Sequence, residues 1–174
     1  GIRDRSPSRG LGDVYKRQEL GLCSNLSPDD PVLCSLNQHV IHKEPVGLIV
    51  GKNHPFVHRS SVPIEDLRDE RFIVYIRSFR GTNQMLYDLC APHGFEPNIA
   101  MEAYNDYGVL NSVASGDGIA IIPTTRFLER PDVVRIPLDL KEPLMRDLTL
   151  VWRKNEKLPP AAAAFRDMLI STAQ

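Results

Sequence analysis

Between Arg71 and Pro123 the chain runs strand, polar turn, helix twice over before a third strand, and this succession leaves few folds open. Phe72-Ile73-Val74-Tyr75-Ile76 is a short apolar run rich in β-formers, broken by Arg77-Ser78-Phe79-Arg80-Gly81. Met85, Leu86, Leu89 and Cys90 then recur at helical spacing, until Pro92 and Gly94 stop the helix. Ile99 to Ala103 resumes the strand period, and Tyr104-Asn105-Asp106 forms the next turn. Val109, Leu110 and Val113 mark a second helix ending at Gly116, and Gly118 to Ile122 is a buried strand closed by Pro123. Strands alternating with helices of this length predict an α/β unit with a largely parallel sheet. Ligands of such sheets sit at the carboxyl ends of the strands, in the turns that lead into the helices.

The flanking segments extend this plan. His39-Val40-Ile41-His42 leads into a strand over Pro45 to Val50, and Pro63 to Leu67 reads as a short helix with proline at its start. A short helix is expected over Thr124 to Glu129, and Val133 to Leu138 reads as an edge strand, because Pro137 has no N–H for a central ladder. Arg146 to Arg153 is a further strand, followed by a helix over Pro159 to Thr172 with Phe165, Met168 and Leu169 on one apolar face.

Composition bounds the class. At 174 residues, with 42% hydrophobic and 25% charged residues, the chain holds one domain or two small lobes with real cores. It has no apolar run near the roughly 20 residues that span a bilayer, and no apolar leader, so a cytoplasmic, membrane-free protein is expected. Cys23, Cys34 and Cys90 are odd in number without C-x-x-C spacing, and are expected to be reduced core thiols. Residues 1–18 stand apart: Arg3, Arg5, Arg9, Lys16 and Arg17 against Asp4 and Asp13 give +3, leaving −4 of the total −1 on residues 19–174. A basic arm for nucleic acid is one reading. The other, preferred here, is a non-native tail, since the string resembles translated vector or adaptor sequence.

The turn Arg77-Ser78-Phe79-Arg80-Gly81-Thr82-Asn83 has the chemistry of an anion site. Hydroxyls, guanidinium groups and backbone N–H groups converge at the positive end of a helix dipole. Arg77, Ser78, Arg80 and Thr82 are therefore candidate ligand contacts, while Thr82 serves equally as a plain N-cap with Asn83 and Gln84 as helix surface. Tyr104, Asn105 and Asp106 form a second candidate turn facing the same side if the sheet is parallel, and Asp106 is as readily an N-cap as a contact. Catalytic and metal chemistry find little support. His54 and His58 flank Pro55 in a loop, His39 and His42 lack a third ligand, and His93 stands alone. The nucleophile-elbow, phosphate-loop and dinucleotide motifs are absent, and Gly116-Asp117-Gly118 follows a helix rather than a strand. Neither a cofactor nor a metal is expected, and the chain does not read as an enzyme.

Several of these stretches resemble LysR-type transcriptional regulators. Val113-Ala114-Ser115-Gly116-Asp117-Gly118-Ile119-Ala120-Ile121-Ile122-Pro123 resembles the family's glycine-containing segment. Pro45 to Val50 with Asn53-His54-Pro55 resembles its crossover strand and following turn. Ile64-Glu65-Asp66-Leu67 with Phe72-Ile73, and Leu148-Thr149-Leu150-Val151-Trp152 before a last helix, resemble two more of its segments in family order. The resemblance spans Glu19 to the C-terminus. It implies an effector-binding domain similar to type 2 periplasmic binding proteins: α/β, two-lobed, with a ligand cleft between the lobes. Residues 19–46 and 144–174 would form a partial first lobe, incomplete at its N-terminus, and 47–143 the second. The family's effector contacts fall on the Ser78 to Thr82 turn, and Ser24 would lie on the opposing lip. The implied partners are a small, anionic effector, further copies of the chain in the full-length protein, and DNA only through a winged helix-turn-helix upstream of Glu19. A solute-binding protein of the same fold, or an α/β enzyme, are the rival readings.

Overall fold

A computed structural model describes residues 19–24, 31–76, 80–124 and 130–173, the side chains of 31–32 and 80–82 excepted. Residues 1–18, 25–30, 77–79 and 125–129, the last covering most of the helix expected over Thr124 to Glu129, lie outside the described residues. Glu44–Arg146 forms one compact unit, and the described residues up to Lys43 and from Asp147 form another.

In the Glu44–Arg146 unit, β3 (Arg71–Tyr75) is buried at every position after Arg71 and runs parallel to β4 (Asn98–Ala103). On its other side β3 meets the residue before β5 (Ala120–Pro123): Ile73 N donates to Ile119 O and Ile119 N donates to Arg71 O, both at 2.8 Å, in a parallel bridge. The expectation of a largely parallel sheet needs correction at this point. β2 (Leu36–Gly51) pairs antiparallel with β5, from Val46 opposite Pro123 to Ile49 opposite Ala120. Its far side pairs antiparallel with β6 (Val133–Ile136). The resulting order, β4-β3-β5-β2-β6, is mixed, because helical crossovers force parallel pairing only on the strands they join. β2 reaches the sheet without such a crossover.

Alternation along these strands feeds two apolar layers. Leu48, Val50, Phe72, Val74 and Ile121 pack on one side with Leu86 and Cys90 of α1 (Arg80–Cys90), and with Ile64 and Leu67 of a 3-10 turn. Ile49, Ile73, Tyr75, Ala120 and Ile122 pack on the other with Val109, Leu110 and Val113 of α2 (Asp106–Ala114). With both faces covered, the strands read as continuous apolar runs. The loop from α2 into β5 is built on glycine. Gly116, at φ 84°, is the left-handed residue past the helix; its N–H donates to Val113 O, and Asp117 N donates to Ser112 O. This paired cap satisfies two helix carbonyls. At Gly118 a Cβ would lie 2.4 Å from Arg71 O, so the bridge to β3 has room only for glycine.

The other unit is an antiparallel arrangement in which β7 (Met145–Arg153) lies between β1 (Leu20–Ser24) and β2. Leu20 faces Trp152 and Ser24 faces Leu148. Leu33, Thr149, Leu150 and Val151 are its buried residues among those described. α3 (Pro160–Thr172) lies where the helix was expected, but its apolar face is open: Phe165 is 48% and Met168 51% exposed. An amphipathic period fixes which face is apolar, not that a layer covers it. The cysteines also divide: Cys90 is a buried core thiol, but Cys23 is half-buried and Cys34 exposed, since helical and strand periods do not constrain a cysteine in a short 3-10 turn such as Pro31–Ser35.

Candidate functional site

β3 and β4 end side by side, with Tyr75 opposite Ala103, and each is followed by a helix. The chain is tied at this edge by three side chains. Asn83, in the first turns of α1, donates through Nδ2 to the carbonyl of Tyr75 at 2.6 Å. Asn105 caps α2, its Oδ1 accepting from Gly108 N at 2.9 Å with the extended backbone an N-cap requires. The Tyr75 hydroxyl crosses from the end of β3 to donate to Asp106 Oδ1. Tyr75 is 7% exposed; burial, and then the bond to the Asp106 carboxylate, hold its phenol well above the usual tyrosine range. It is a neutral donor at physiological pH.

The same edge carries the start of β2's buried half and the end of β5. β5 runs in the direction of β3, and Val46 lies opposite Pro123. Thr124 donates to Pro45 O through both its backbone N, at 2.8 Å, and its Oγ1, at 2.9 Å. Next to Pro45, Glu44 accepts two guanidinium bonds from Arg146, the Nε bond at 2.7 Å, and both side chains are mostly shielded from solvent. This ion pair is close enough for Tyr75 to feel both charges: Arg146 favours its phenolate and Glu44 opposes it.

The expected site residues are distributed as follows. Tyr104 (76% exposed), Asn105 and Asp106 lie together on the β4–α2 turn. Arg77 and Ser78 lie outside the described residues; Arg80 and Thr82 have helical backbone, with side chains outside the description. Ser24 is half-buried at the end of β1, in the other unit. Two capping expectations and one surface expectation are corrected. Thr82 is not an N-cap, because α1 already starts at Arg80. Asp106 is not the cap of α2 either; Asn105 takes that place, and Asp106 is free to pair with Tyr75. Asn83 is half-buried and fastened to β3 rather than plain helix surface, whereas Gln84 is exposed and donates to Asp88 at 2.9 Å.

Tyr75, Glu44, Arg146 and Thr124 were missed as members of this edge. A buried phenol at a strand end needs a hydrogen-bond partner, which was a usable signal. Glu44 and Arg146 are 102 positions apart and carry no local one. Two of the described histidines make structural contacts. His54 accepts from Phe56 N through Nδ1 at 3.2 Å at the head of a 3-10 turn, and His93 Nδ1 lies 2.8 Å from Glu65 Oε1. No group of three or more metal-ligating side chains occurs among the described residues.

An α/β unit with polar strand-to-helix turns at one sheet edge is the architecture of a small-molecule binding domain. The LysR substrate binding domain family profile matches residues 27–174, and the chain belongs to that family: it is an effector-binding domain of a LysR-type transcriptional regulator. Among curated relatives, the transcriptional dual regulator GltC of Bacillus subtilis (strain 168) is 25% identical over 147 residues, 83% of this chain and 48% of that protein. The uncharacterized HTH-type transcriptional regulator YybE of the same organism is 26% identical over 164 residues, 92% of this chain and 54% of that protein. The chain thus spans about half the length of these relatives. Its fold matches the regulatory domain of Synechocystis PCC6803 CcmR, solved with 2-PG, at a TM-score of 0.81 and 20% identity, covering 95% of this chain and 79% of that one. It matches the effector binding domain of QuiR, solved with shikimate, at a TM-score of 0.80 and 20% identity, covering 98% and 78%.

Proposed function

We propose that the carboxyl edge of the β3–β4 pair holds the effector. One observation carries this reading: β3 and β4 end side by side, each followed by a helix, and the Tyr75 hydroxyl at the end of β3 is hydrogen-bonded to Asp106 at the start of α2. Arg77, Ser78, Arg80 and Thr82 supply the first turn; with the amino end of α1 they suit an anionic group such as a carboxylate. Tyr104, Asn105 and Asp106 supply the second. Shikimate, the ligand of QuiR, is of the carboxylate class. Ser24, at the end of β1, is the remaining candidate contact.

The chain acts as a sensor rather than an enzyme. In the intact cytoplasmic regulator, effector binding shifts the balance between conformations and so changes how a homo-oligomer sits on DNA through its helix-turn-helix part. Support comes from family membership and from relatives described as HTH-type regulators. No helix among the described residues is long and apolar enough to cross a membrane.

A thermal-shift screen of small carboxylates, phosphates and sugars tests the site. A true effector at 100 times its dissociation constant stabilises by about 2.7 kcal/mol. Ser78→Ala and Asp106→Ala should each shrink that gain, whereas Gln84→Ala, on the exposed side of α1, should not. Equal gains in all three variants would place the effector elsewhere.

A further inference from the structure

We infer that Lys43, Glu44, Arg146 and Asp147 form an electrostatic register lock between β2 and β7, at the step where the chain passes from one compact unit to the other. This goes beyond the proposed effector site and holds whichever residues contact the effector.

Apolar patterning does not set the register of this stretch. No residue of β2 from Leu36 to Pro45 is buried, whereas Val46 to Gly51 all are. A strand open on both faces has a weakly specified register and is prone to slip. Neighbouring strands do not hold it either. Among the described residues, β5 and β6 pair with β2 only from Val46 onwards, and the last tie on that side is Thr124 to Pro45 O. β1 pairs with β7 only from Leu148 onwards. Between these limits β2 and β7 run as a two-stranded ribbon.

The charges stand in this ribbon. Lys43 and Glu44 are the only Lys, Arg, Asp or Glu residues of β2. The bond from Val46 N to Leu144 O, at 2.8 Å, sets Glu44 opposite Arg146 and Lys43 opposite Asp147, and Asn37 reaches Arg153 O further along in the same register. Glu44 accepts from both Nε and Nη2 of Arg146, the two side chains being 13% and 23% exposed. Lys43 Nζ lies 3.7 Å from Asp147 Oδ1 in a more open setting. Successive residues of a strand point to opposite faces, so each face of the ribbon carries one pair. The boundary of the units falls between the two rungs: Glu44 and Arg146 belong to one unit, Lys43 and Asp147 to the other.

The order of signs penalises every small slip. Moving one strand by one residue sets Lys43 against Arg146 in one sense and Glu44 against Asp147 in the other. Like charges directly opposite destabilise a ladder. A slip of two residues keeps the faces, but sets Glu44 opposite Leu144 or Leu148 and leaves a largely shielded carboxylate unpaired. A conformational shift of the domain therefore bends or twists this ribbon without sliding its strands, a hinge motion rather than shear.

Charge exchange in the full chain tests the lock, read by amide hydrogen exchange at Val46, beside the ribbon, and at Ile73 in the central strand β3 as the measure of global opening. Glu44→Lys sets like charge against Arg146 and should speed exchange at Val46 about tenfold or more relative to Ile73, the scale of one hydrogen bond to a charged group. Combining it with Arg146→Glu should return Val46 to within about twofold of the parent. In the exposed pair, Lys43→Glu should speed Val46 by about two- to fivefold, and adding Asp147→Lys should reverse the change. The exposed pair also carries the test if Glu44→Lys alone does not fold. Glu44→Gln with Arg146→Met keeps the side-chain volume without the charges, and should leave Val46 faster than the exchanged pair does. Unchanged exchange in the single variants, failure of either exchanged pair to restore protection, or acceleration at Ile73 equal to that at Val46 in the exposed-pair variants overturns the inference. Equal protection in the neutral and the exchanged pairs overturns it too, since packing rather than charge would then hold the ribbon.

Discussion

Gly118→Ala tests whether the contact between β3 and the residue before β5 holds the Glu44–Arg146 unit together. The new methyl would lie 2.4 Å from Arg71 O and 3.0 Å from Arg71 C, both backbone atoms of a central strand. Neither can rotate away, so one strand must move. That movement pulls on the two 2.8 Å hydrogen bonds between Ile119 and β3. Overpacking of this kind costs about 1–3 kcal/mol, and each weakened bond adds about 0.5–1.5 kcal/mol. The expected loss is about 3 kcal/mol, or roughly 6–12 °C in Tm for a chain of this length. Urea denaturation followed by circular dichroism, with a thermal scan beside it, measures both. Gly116→Ala is the control. Gly116 sits at φ 84° with no atom within 4 Å of the added carbon, so only the left-handed backbone is penalised, at roughly 1–2 kcal/mol. If Gly118→Ala costs no more than Gly116→Ala, the close approach does not govern stability and the reasoning is wrong.

Three further outcomes are expected. Arg146→Ala should cost about 2 kcal/mol, because Glu44 keeps its largely shielded charge but loses a two-point donor; denaturation at two salt concentrations would show the difference persisting at high salt. Alkaline titration at 295 nm should show one tyrosine ionising only at the highest pH, and Tyr75→Phe should remove that step. Since the folded state holds this phenol above the ordinary value near 10, its contribution to stability is complete below about pH 10 and is lost as pH rises through the folded value. A thiol reagent at pH 8 should modify the exposed Cys34 at once. It should reach Cys90 only on unfolding, since burial pushes that thiol up to about 11; equal rates would contradict the core placement.

What was legible in the sequence follows physical range. β3 past Arg71 and β5 announce themselves because strands buried on both faces read as continuous apolar runs, and α1 and α2 because a single face repeats at helical spacing; β4, with Asn98, Met101 and Glu102 exposed, is the weaker signal. α1 and α2 start before the points that caps at Thr82 and Asp106 imply, whereas the last helix starts within one residue of its expected Pro159. Asn105 and Asp106 are both good capping types, and only the backbone at Asn105 settles which one caps. The antiparallel placement of β2 was invisible, since its apolar half, Val46 to Val50, reads the same in either direction. The Glu44–Arg146 pair joins residues that neither period nor motif connects. Phe165 and Met168 mark the converse limit: their spacing defined a face correctly, while its exposure depends on what lies against it.

The placement of β2 in the middle of its sheet sets an order of events during synthesis. Leu48 pairs with Ile121 on one side and Ile136 on the other, positions 73 and 88 residues later in the chain. At about 5–20 residues per second, Leu48, Ile49 and Val50 leave the ribosome roughly 4–18 s before their second flanking strand exists. During that interval three of the most apolar residues in the chain have open hydrogen-bonding edges on both sides, the condition in which a strand pairs with the wrong partner. In the nascent chain residues 46–51 are therefore the stretch open to mispairing for longest, and a message truncated anywhere before Ile136 yields a product that cannot close its sheet.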